Sequence, residues 1–234
     1  MPDQCIDSLT ALTARLTNAR VLELGCGNGQ LVGRLYDRGT VELAVGLDPS
    51  LDTGGESLTL ATRRPGVPLV RGRVSGLPLR PRPSFHLIIA LESAHLFTSG
   101  WFDEVTALLL PSGVLAVAWI EFGWEAELID TYHHVLRRRG ADPGAKRYPA
   151  QLDLQAIARY AKPSRTYGRV EVSVSRTYEV ERVVAILAST SAASACPEGQ
   201  LTLATSLLNE LRRRGYGDPL NSMDRHHMEY VRCE

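Results

Sequence analysis

The chain has few of the features that mark several large classes of protein. Its 234 residues include only four cysteines, and no two of them form a CxxC pair, so the spacing typical of zinc sites and disulfide frameworks is missing. Acidic and basic residues number 26 each. The basic excess that marks dedicated nucleic-acid or acidic-membrane binders is therefore also missing, and the sequence predicts no nucleic-acid partner.

Long hydrophobic runs are also missing. No stretch approaches 18 uninterrupted apolar residues, so the sequence predicts no transmembrane helix and no membrane partner. The first residues lack the basic and apolar segments of a signal peptide. Together with the scattered cysteines, this predicts a cytoplasmic location. The composition, 44% hydrophobic and 22% charged, is typical of a globular protein with a sizeable core.

Strand and helix patterns alternate through the first half of the chain. The pattern predicts apolar strands at 19–25, 41–48, 67–74, 85–92 and 113–122, and helices at 4–18, 28–38, 54–63 and 99–110. Solidly apolar strands that alternate with helices are typical of a parallel sheet covered on both faces.

The second half predicts helices at 123–139, 152–161, 180–190 and 198–215, and strands at 167–180 and 226–233. The two late strands are expected to pair antiparallel at the sheet edge. The predicted fold is therefore α/β: a Rossmann-like, doubly wound sheet of seven strands, mostly parallel with an antiparallel edge strand and with helices on both faces.

A glycine loop is the most informative segment. Gly25, Gly27 and Gly29 lie in VLELGCGNGQ at the carboxyl end of the first strand, where glycines permit a tight turn and let a ligand lie against bare backbone. Asp48 ends the second strand, about 20 residues further on, where a carboxylate reaches the ribose hydroxyls of an adenosine. The loop and Asp48 therefore predict one adenosine-containing cofactor.

The loop favours S-adenosylmethionine over a dinucleotide. The dinucleotide fingerprint GxGxxG holds a pyrophosphate at a helix N-terminus, but its third glycine position is Gln30 here. Glu23 precedes the loop, and its negative charge would oppose a phosphate. The same charge suits a cofactor that carries a positive amine and a sulfonium.

With these motifs, the chain resembles the class I S-adenosylmethionine-dependent methyltransferases over residues 15–122. The resemblance implies that Glu23 helps to hold the methionine amine, that Asp48 binds the ribose, and that Pro49 lies near the adenine. The full set of cofactor-binding residues that it implies is Glu23, Gly25, Cys26, Gly27, Gly29, Asp48, Pro49, Arg73, Val74 and Leu91.

The chain departs from the family pattern at two strands. After the third strand, Arg73 stands where the family often has an Asp that contacts the adenine amine, and an arginine cannot accept a hydrogen bond. At the fourth strand, the family's Phe-Asp is Phe85-His86. The end of that strand, ALESAHLF at 90–97, is similar to the small-molecule branch that resembles trans-aconitate methyltransferase, and Ser189-Thr190-Ser191 matches it loosely.

His95, just past the fourth strand, is the candidate catalytic base, because that position faces the sulfur end of the cofactor in this family. The alternative is a packing histidine beneath the methionine. Trp119, Glu121 and Trp124 cluster around the end of the fifth strand, which faces the ligand crevice in open α/β sheets. We interpret these three as substrate-binding residues, with packing of the following helix as the alternative.

No metal site is predicted. Adjacent histidines on a helix do not face each other, and on a strand they point to opposite faces, so His133-His134 and His226-His227 do not form ligand pairs. The sequence also lacks the Asp-Asn pair after the fifth strand that metal-dependent catechol-type methyltransferases require.

The predicted function is methyl transfer from S-adenosylmethionine to oxygen, nitrogen or carbon of a small molecule, by in-line displacement. The alternatives are a cofactor-binding protein of the same fold with a non-methylating role, and a protein or RNA methyltransferase. We expect a single domain over 1–234, with a cofactor-binding core at 15–122 and substrate-side elaborations at 123–166 and 181–222. A homodimer is compatible with this class.

Overall fold

The computed structural model describes residues 3–13, 18–51, 64–79, 82–97, 100–141, 166–189, 193 and 196–233. Its helices are α1 (Asp3–Thr13), α2 (Gln30–Asp37), α3 (Trp101–Thr106), α4 (Ala126–Arg138), α5 (Val180–Ala188) and α6 (Gln200–Arg213), with a 3₁₀ turn at Ala94–Leu96. Its strands are β1 (Ala19–Leu24), β2 (Val41–Asp48), β3 (Leu69–Arg71), β4 (Phe85–Leu91), β5 (Leu109–Glu121), β6 (Thr166–Tyr178) and β7 (Leu220–Arg232). The helices predicted at 54–63 and 152–161, and the Thr190-Ser191 pair, lie outside the described residues.

The seven strands form one sheet in the order β3-β2-β1-β4-β5-β7-β6. β1 pairs in parallel with β2 and β4, β2 pairs in parallel with β3, and β4 pairs in parallel with β5. The strand order reverses direction between β1 and β4. In doubly wound sheets, ligands bind outside the carboxyl ends of the strands at this reversal point.

The late strands run antiparallel to their neighbours. Between β5 and β7, the Cys233 N–H donates to the Gly113 carbonyl at 2.9 Å, and Trp119 stacks on His227. Between β6 and β7, Arg169 lies near Glu229, and Thr177 forms a hydrogen bond with Asn221. In both pairs the residue numbers rise along one strand and fall along the other, as antiparallel pairing requires. The prediction of a mostly parallel sheet of seven strands with an antiparallel edge is confirmed.

By their internal contacts, the residues group into two compact units. Unit 1 comprises Met1–Ile120, Leu152–Val172 and His226–Glu234, and unit 2 comprises Glu121–Gln151 and Ser173–Arg225. The expectation of a single domain with a core at 15–122 stays a prediction. Among the described residues, no helix is long and apolar enough to cross a membrane.

Unit 1 has two hydrophobic clusters, one on each face of the sheet. Leu22 belongs to the cluster that includes Trp101 of α3, while the preceding residue, Val21, belongs to the cluster that includes Ile6 of α1. Successive residues of a strand point to opposite faces, so helices cover both faces, as predicted. Unit 2 has its own cluster, which α4, α5 and α6 form together.

Two predicted boundaries are wrong for identifiable reasons. The helix predicted at 99–110 ends at Thr106, and β5 begins at Leu109, which pairs with Phe85 of β4. Its run of leucines fits a helix and a buried strand equally well. The last strand begins at Leu220 rather than at residue 226. Its buried positions Ser222 and Asp224 are polar and the intervening Met223 is exposed, so the hydrophobic alternation is inverted there.

Candidate functional site

The glycine loop packs directly against the end of β4. Gly25 has a φ of 71°, in the left-handed region that favours glycine, and its N–H donates to the Leu47 carbonyl at 2.7 Å. A Cβ on Gly25 would lie 2.4 Å from the Cβ of Ser93. The Ser93 hydroxyl donates to the Leu24 carbonyl at 2.6 Å, which fixes this close approach.

Asp48 connects the loop to the end of β2. Its Oδ2 accepts a hydrogen bond from the Gly27 N–H at 2.9 Å. Its Oδ1 accepts from the Ser50 N–H at 2.8 Å and from the Ser50 hydroxyl at 2.5 Å, an Asx-type turn of the Asp-Pro-Ser segment. These bonds hold the carboxylate beside the loop, where the sequence predicts a ribose.

A cavity of about 250 Å³ opens at this place. Its wall includes five of the predicted cofactor-binding residues: Gly25, Asp48, Pro49, Arg73 and Val74. It also includes Ser50, Ser93, Leu96 and Phe97, which sequence reasoning missed. The Asp-Pro-Ser turn was a usable signal for Ser50, whereas the approach of Ser93 to Gly25 exists only in the folded chain.

The other predicted cofactor residues lie outside the wall. Gly27 and Gly29 have φ angles of 52° and 76°, and Gly29 begins α2 as its N-cap. Leu91 instead lines a small cavity of unit 1 together with Leu9 and Met228.

Glu23 is an acidic group buried behind the loop, with only 3% of its surface exposed. Its Oε2 accepts a hydrogen bond from the Val32 N–H at 3.2 Å. Burial, and to a lesser degree the negative charge of Asp48, raise the pKa of Glu23 to about 8. Burial and the same two carboxylates also raise the pKa of the Cys26 thiol, so Cys26 stays protonated and does not act as a nucleophile.

The candidate base lies in the 3₁₀ turn that follows β4. His95 is half-buried, and its neighbours Leu96 and Phe97 line the cavity. Just before the turn, Glu92 has a φ of 55°, and its carboxylate accepts a hydrogen bond from the Ile120 N–H. Glu92 therefore joins the ends of β4 and β5.

The three predicted substrate-binding residues each contact a different intramolecular partner. In unit 1, Trp119 stacks on His227 with ring centroids 5.1 Å apart. In unit 2, the exposed Glu121 forms an ion pair with Arg225. Also in unit 2, Trp124 stacks on Phe122 at 4.4 Å, and its buried indole Nε1 has no hydrogen-bond partner among the residues that the structure describes.

The departure at His86 has a structural explanation. His86 lies at the start of β4, at the opposite end of the strand from the cavity. Its Nδ1 accepts a hydrogen bond from the Arg20 N–H at 3.0 Å. Burial, and then the positive charge of Arg20, lower the pKa of His86. The neutral imidazole therefore links β1 and β4 away from the site.

Comparisons with known proteins relate part of this chain to methyltransferases. Residues 21–113 match the family described as "Methyltransferase domain". Phthiotriol/phenolphthiotriol dimycocerosates methyltransferase 1 from Mycobacterium ulcerans is 34% identical over 129 residues, which cover 51% of this chain and 46% of the relative. The chain spans about half the length of the curated relatives it matches.

Solved structures share the fold over almost the whole chain. The YcgJ protein from Bacillus subtilis superimposes with a TM-score of 0.62 at 18% identity, covering 99% of both chains. The [4+2]-cyclase SpnF has a TM-score of 0.56 at 17% identity, covering 99% of this chain and 80% of its own. The match to the family described as "Methyltransferase domain" covers residues 21–113, which include the glycine loop and Asp48, so this part of the chain is similar to a methyltransferase domain.

Proposed function

We propose that the protein transfers a methyl group from S-adenosylmethionine to a small-molecule acceptor, and that the cavity beside Asp48 holds the adenosine of the donor. The observation that carries the proposal is the position of Asp48, whose carboxylate lies in the cavity wall and is fixed by the Gly27 and Ser50 N–H groups. A carboxylate has about four acceptor sites. Oδ2 of Asp48 keeps one for a ribose hydroxyl, and a second becomes available when a ligand hydroxyl replaces the Ser50 hydroxyl at Oδ1.

The donor set of the cavity fits an adenosyl ligand. Asp48 offers a hydrogen-bond acceptor for the two ribose hydroxyls, and the buried side chains of Leu47 and Val74 offer apolar surface for a base. Gly27 has open space where a Cβ would be, so ligand atoms can approach its backbone. When bound, S-adenosylmethionine supplies an electrophilic methyl group on a sulfonium.

The residues of the chain then have distinct tasks. Asp48 orients the ribose, and the loop from Gly25 to Gly29 supports the rest of the cofactor. His95 removes the proton from the acceptor nucleophile, a step that typically contributes about 10²–10⁴-fold to the rate. Trp119, which belongs to the same unit as the cavity, contacts the acceptor and aligns it for in-line attack, which is the main contribution of an enzyme to such a displacement. For Glu121 and Trp124, which belong to unit 2, binding of the acceptor stays a prediction from the sequence.

The acceptor class is proposed from two sources. The curated relatives are named for phthiotriol and phenolphthiotriol dimycocerosates. The segment ALESAHLF at 90–97 supports the similarity to the trans-aconitate-like branch. Both favour a small molecule over a protein or an RNA.

A second candidate is a protein that binds the cofactor but catalyses a reaction other than methyl transfer. This second candidate is favoured by the fold that the chain shares with a protein named as a [4+2]-cyclase. The experiment that separates the candidates is incubation with S-adenosylmethionine labelled in its methyl group, together with a small-molecule extract of producing cells. Label in a low-mass product supports the proposal, label in macromolecules supports a protein or RNA methyltransferase, and binding without any transfer supports the second candidate.

A further inference from the structure

A cationic side chain lies in the cavity wall. Arg73 follows β3, whose last residue, Arg71, pairs in register with Asp48. The Arg73 side chain is exposed and lines the cavity. No residue in the described part of the chain forms an ion pair or a side-chain hydrogen bond with it. A guanidinium carries five N–H donors and no acceptor, so this part of the wall offers a ligand positive charge and unused donors.

The apolar lining near Arg73 decides which end of a ligand lies against it, an argument that rests on the proposed adenosyl cofactor. With its ribose at Asp48, the ligand extends in two directions: a neutral base on one side and, on the other, a chain that carries an ammonium and a carboxylate group. Placing charged groups against apolar side chains is costly, and Val74, the next residue after Arg73, and Leu47 are buried apolar residues of the same wall. The base therefore lies against Arg73, above the apolar surface of Leu47 and Val74.

Hydrogen-bond chemistry then decides which base edge suits this wall. Adenine presents the N7 acceptor beside the N6 amino donor, whereas a 6-oxopurine presents two acceptors, N7 and O6. The donors of an arginine match both acceptors of a 6-oxopurine in a bidentate arrangement. Against adenine, Arg73 can donate only to N7, because the N6 amino group is itself a donor and forms no hydrogen bond with an arginine.

We propose that Arg73 determines the base specificity of this cavity, which binds 5′-thio-linked nucleosides of a 6-oxopurine at least as tightly as those of adenine. An aspartate at position 73 would have the opposite preference, because its carboxylate accepts from the adenine amino group and repels O6.

The test is isothermal titration calorimetry with S-adenosyl-L-homocysteine and S-inosyl-L-homocysteine. The wild-type protein is expected to bind the inosyl compound at least as tightly as the adenosyl compound. Arg73→Asp should shift the affinity ratio towards the adenosyl compound by roughly 10- to 100-fold. Arg71→Asp is the matched control, because Arg71 is also exposed but lies outside the cavity wall, and it should keep the wild-type ratio.

Two results would overturn the assignment of Arg73: a wild-type protein that strongly prefers the adenosyl compound, or an equal shift in the Arg73 and Arg71 variants. Thermal unfolding of all three proteins checks that the variants are folded. If neither compound binds the wild-type protein, the cofactor proposal itself fails, and the specificity proposal falls with it.

Discussion

The cofactor loop and the segment after β5 differ in how their functional groups are held. At the loop, Asp48 bonds to the Gly27 and Ser50 N–H groups and still faces a cavity. After β5, the ring of Trp124 stacks on Phe122, and the charge of Glu121 is paired with Arg225. The conformation of the loop depends on glycines, which are visible in the sequence. The segment after β5 is held by pairs of side chains, which the sequence does not reveal.

The largest effect is expected within the loop itself, from two alanine substitutions that differ only in the space available. Gly25→Ala introduces a Cβ 2.4 Å from that of Ser93, in addition to the roughly 1–2 kcal/mol cost of a left-handed residue with a side chain. In the free protein, Gly27→Ala has only the cost of the left-handed backbone conformation and no steric clash, because its Cβ meets open space. Calorimetry with S-adenosyl-L-homocysteine should show no binding for Gly25→Ala, and thermal unfolding should show the larger destabilisation for it.

Ser93→Gly in the Gly25→Ala background removes the clashing Cβ and should restore part of the stability. Equal destabilisation by the two single substitutions would contradict the packing described for the loop.

The next effect concerns turnover rather than binding. His95→Ala should lower the rate of methyl transfer by about 100-fold or more, while the affinity for S-adenosyl-L-homocysteine changes little. His95→Gln should not restore the rate, because an amide cannot take a proton at neutral pH. If His95→Gln keeps near-normal turnover, His95 is a positioning or packing residue. The acceptor would then be a group already ionised at pH 7, such as a carboxylate.

A third effect is a pH dependence of stability. The pKa of Glu23 is raised from 4.5 to about 8, so between these values the folded state holds a proton that the unfolded state has released. The free energy of unfolding should therefore fall as the pH rises from about 4.5 to 8, by up to roughly 1.4 kcal/mol per pH unit. Glu23→Gln should remove this contribution. Denaturant unfolding at several pH values measures it, and identical slopes for wild type and variant would rule out a buried, neutral Glu23.

The smallest effect is expected at the segment after β5. Trp124→Phe keeps an aromatic ring against Phe122, and the indole N–H that it removes is buried and has no partner among the described residues, so the stability should hardly change. If the partly exposed ring of Trp124 contacts the acceptor, KM for the acceptor should rise by roughly 2- to 10-fold through the lost contact area. Glu121→Gln, which weakens an exposed ion pair with Arg225, is the comparison, and its cost in stability should stay below about 1 kcal/mol. An unchanged KM in both variants would show that the acceptor does not bind at this segment.

The sequence predicted the fold well where a run of apolar residues is bounded by clear turn residues. The apolar runs at 19–25, 41–48 and 85–92 match β1, β2 and β4 to within one residue, and the glycines before Asp48 correctly indicated a turn after β1. The start of β7 was hidden because its buried positions are Ser222 and Asp224. Asp224 is compatible with burial because it accepts hydrogen bonds from Tyr178 and Ser222, and Tyr178 is distant in sequence.

Within the site, the same division applies. The position of Asp48 in the cavity wall was predictable because it is a single carboxylate at the end of an apolar strand. The contact of Ser93 with Gly25 was not predictable, because it joins positions 68 residues apart through the pairing of β1 and β4. The role of His86 was also hidden, since only the register of these strands places its ring beside the Arg20 N–H.

The central claim is that the carboxylate of Asp48 binds the ribose of an adenosyl cofactor, and calorimetry with S-adenosyl-L-homocysteine tests it most directly. Asp48→Ala should weaken binding by about 1.5–3 kcal/mol, the loss of a charge-assisted hydrogen bond. Asp103→Ala, which removes an exposed carboxylate on α3, should leave the affinity unchanged. An affinity for Asp48→Ala equal to that of the wild-type protein, in a variant that unfolds cooperatively, would contradict the account.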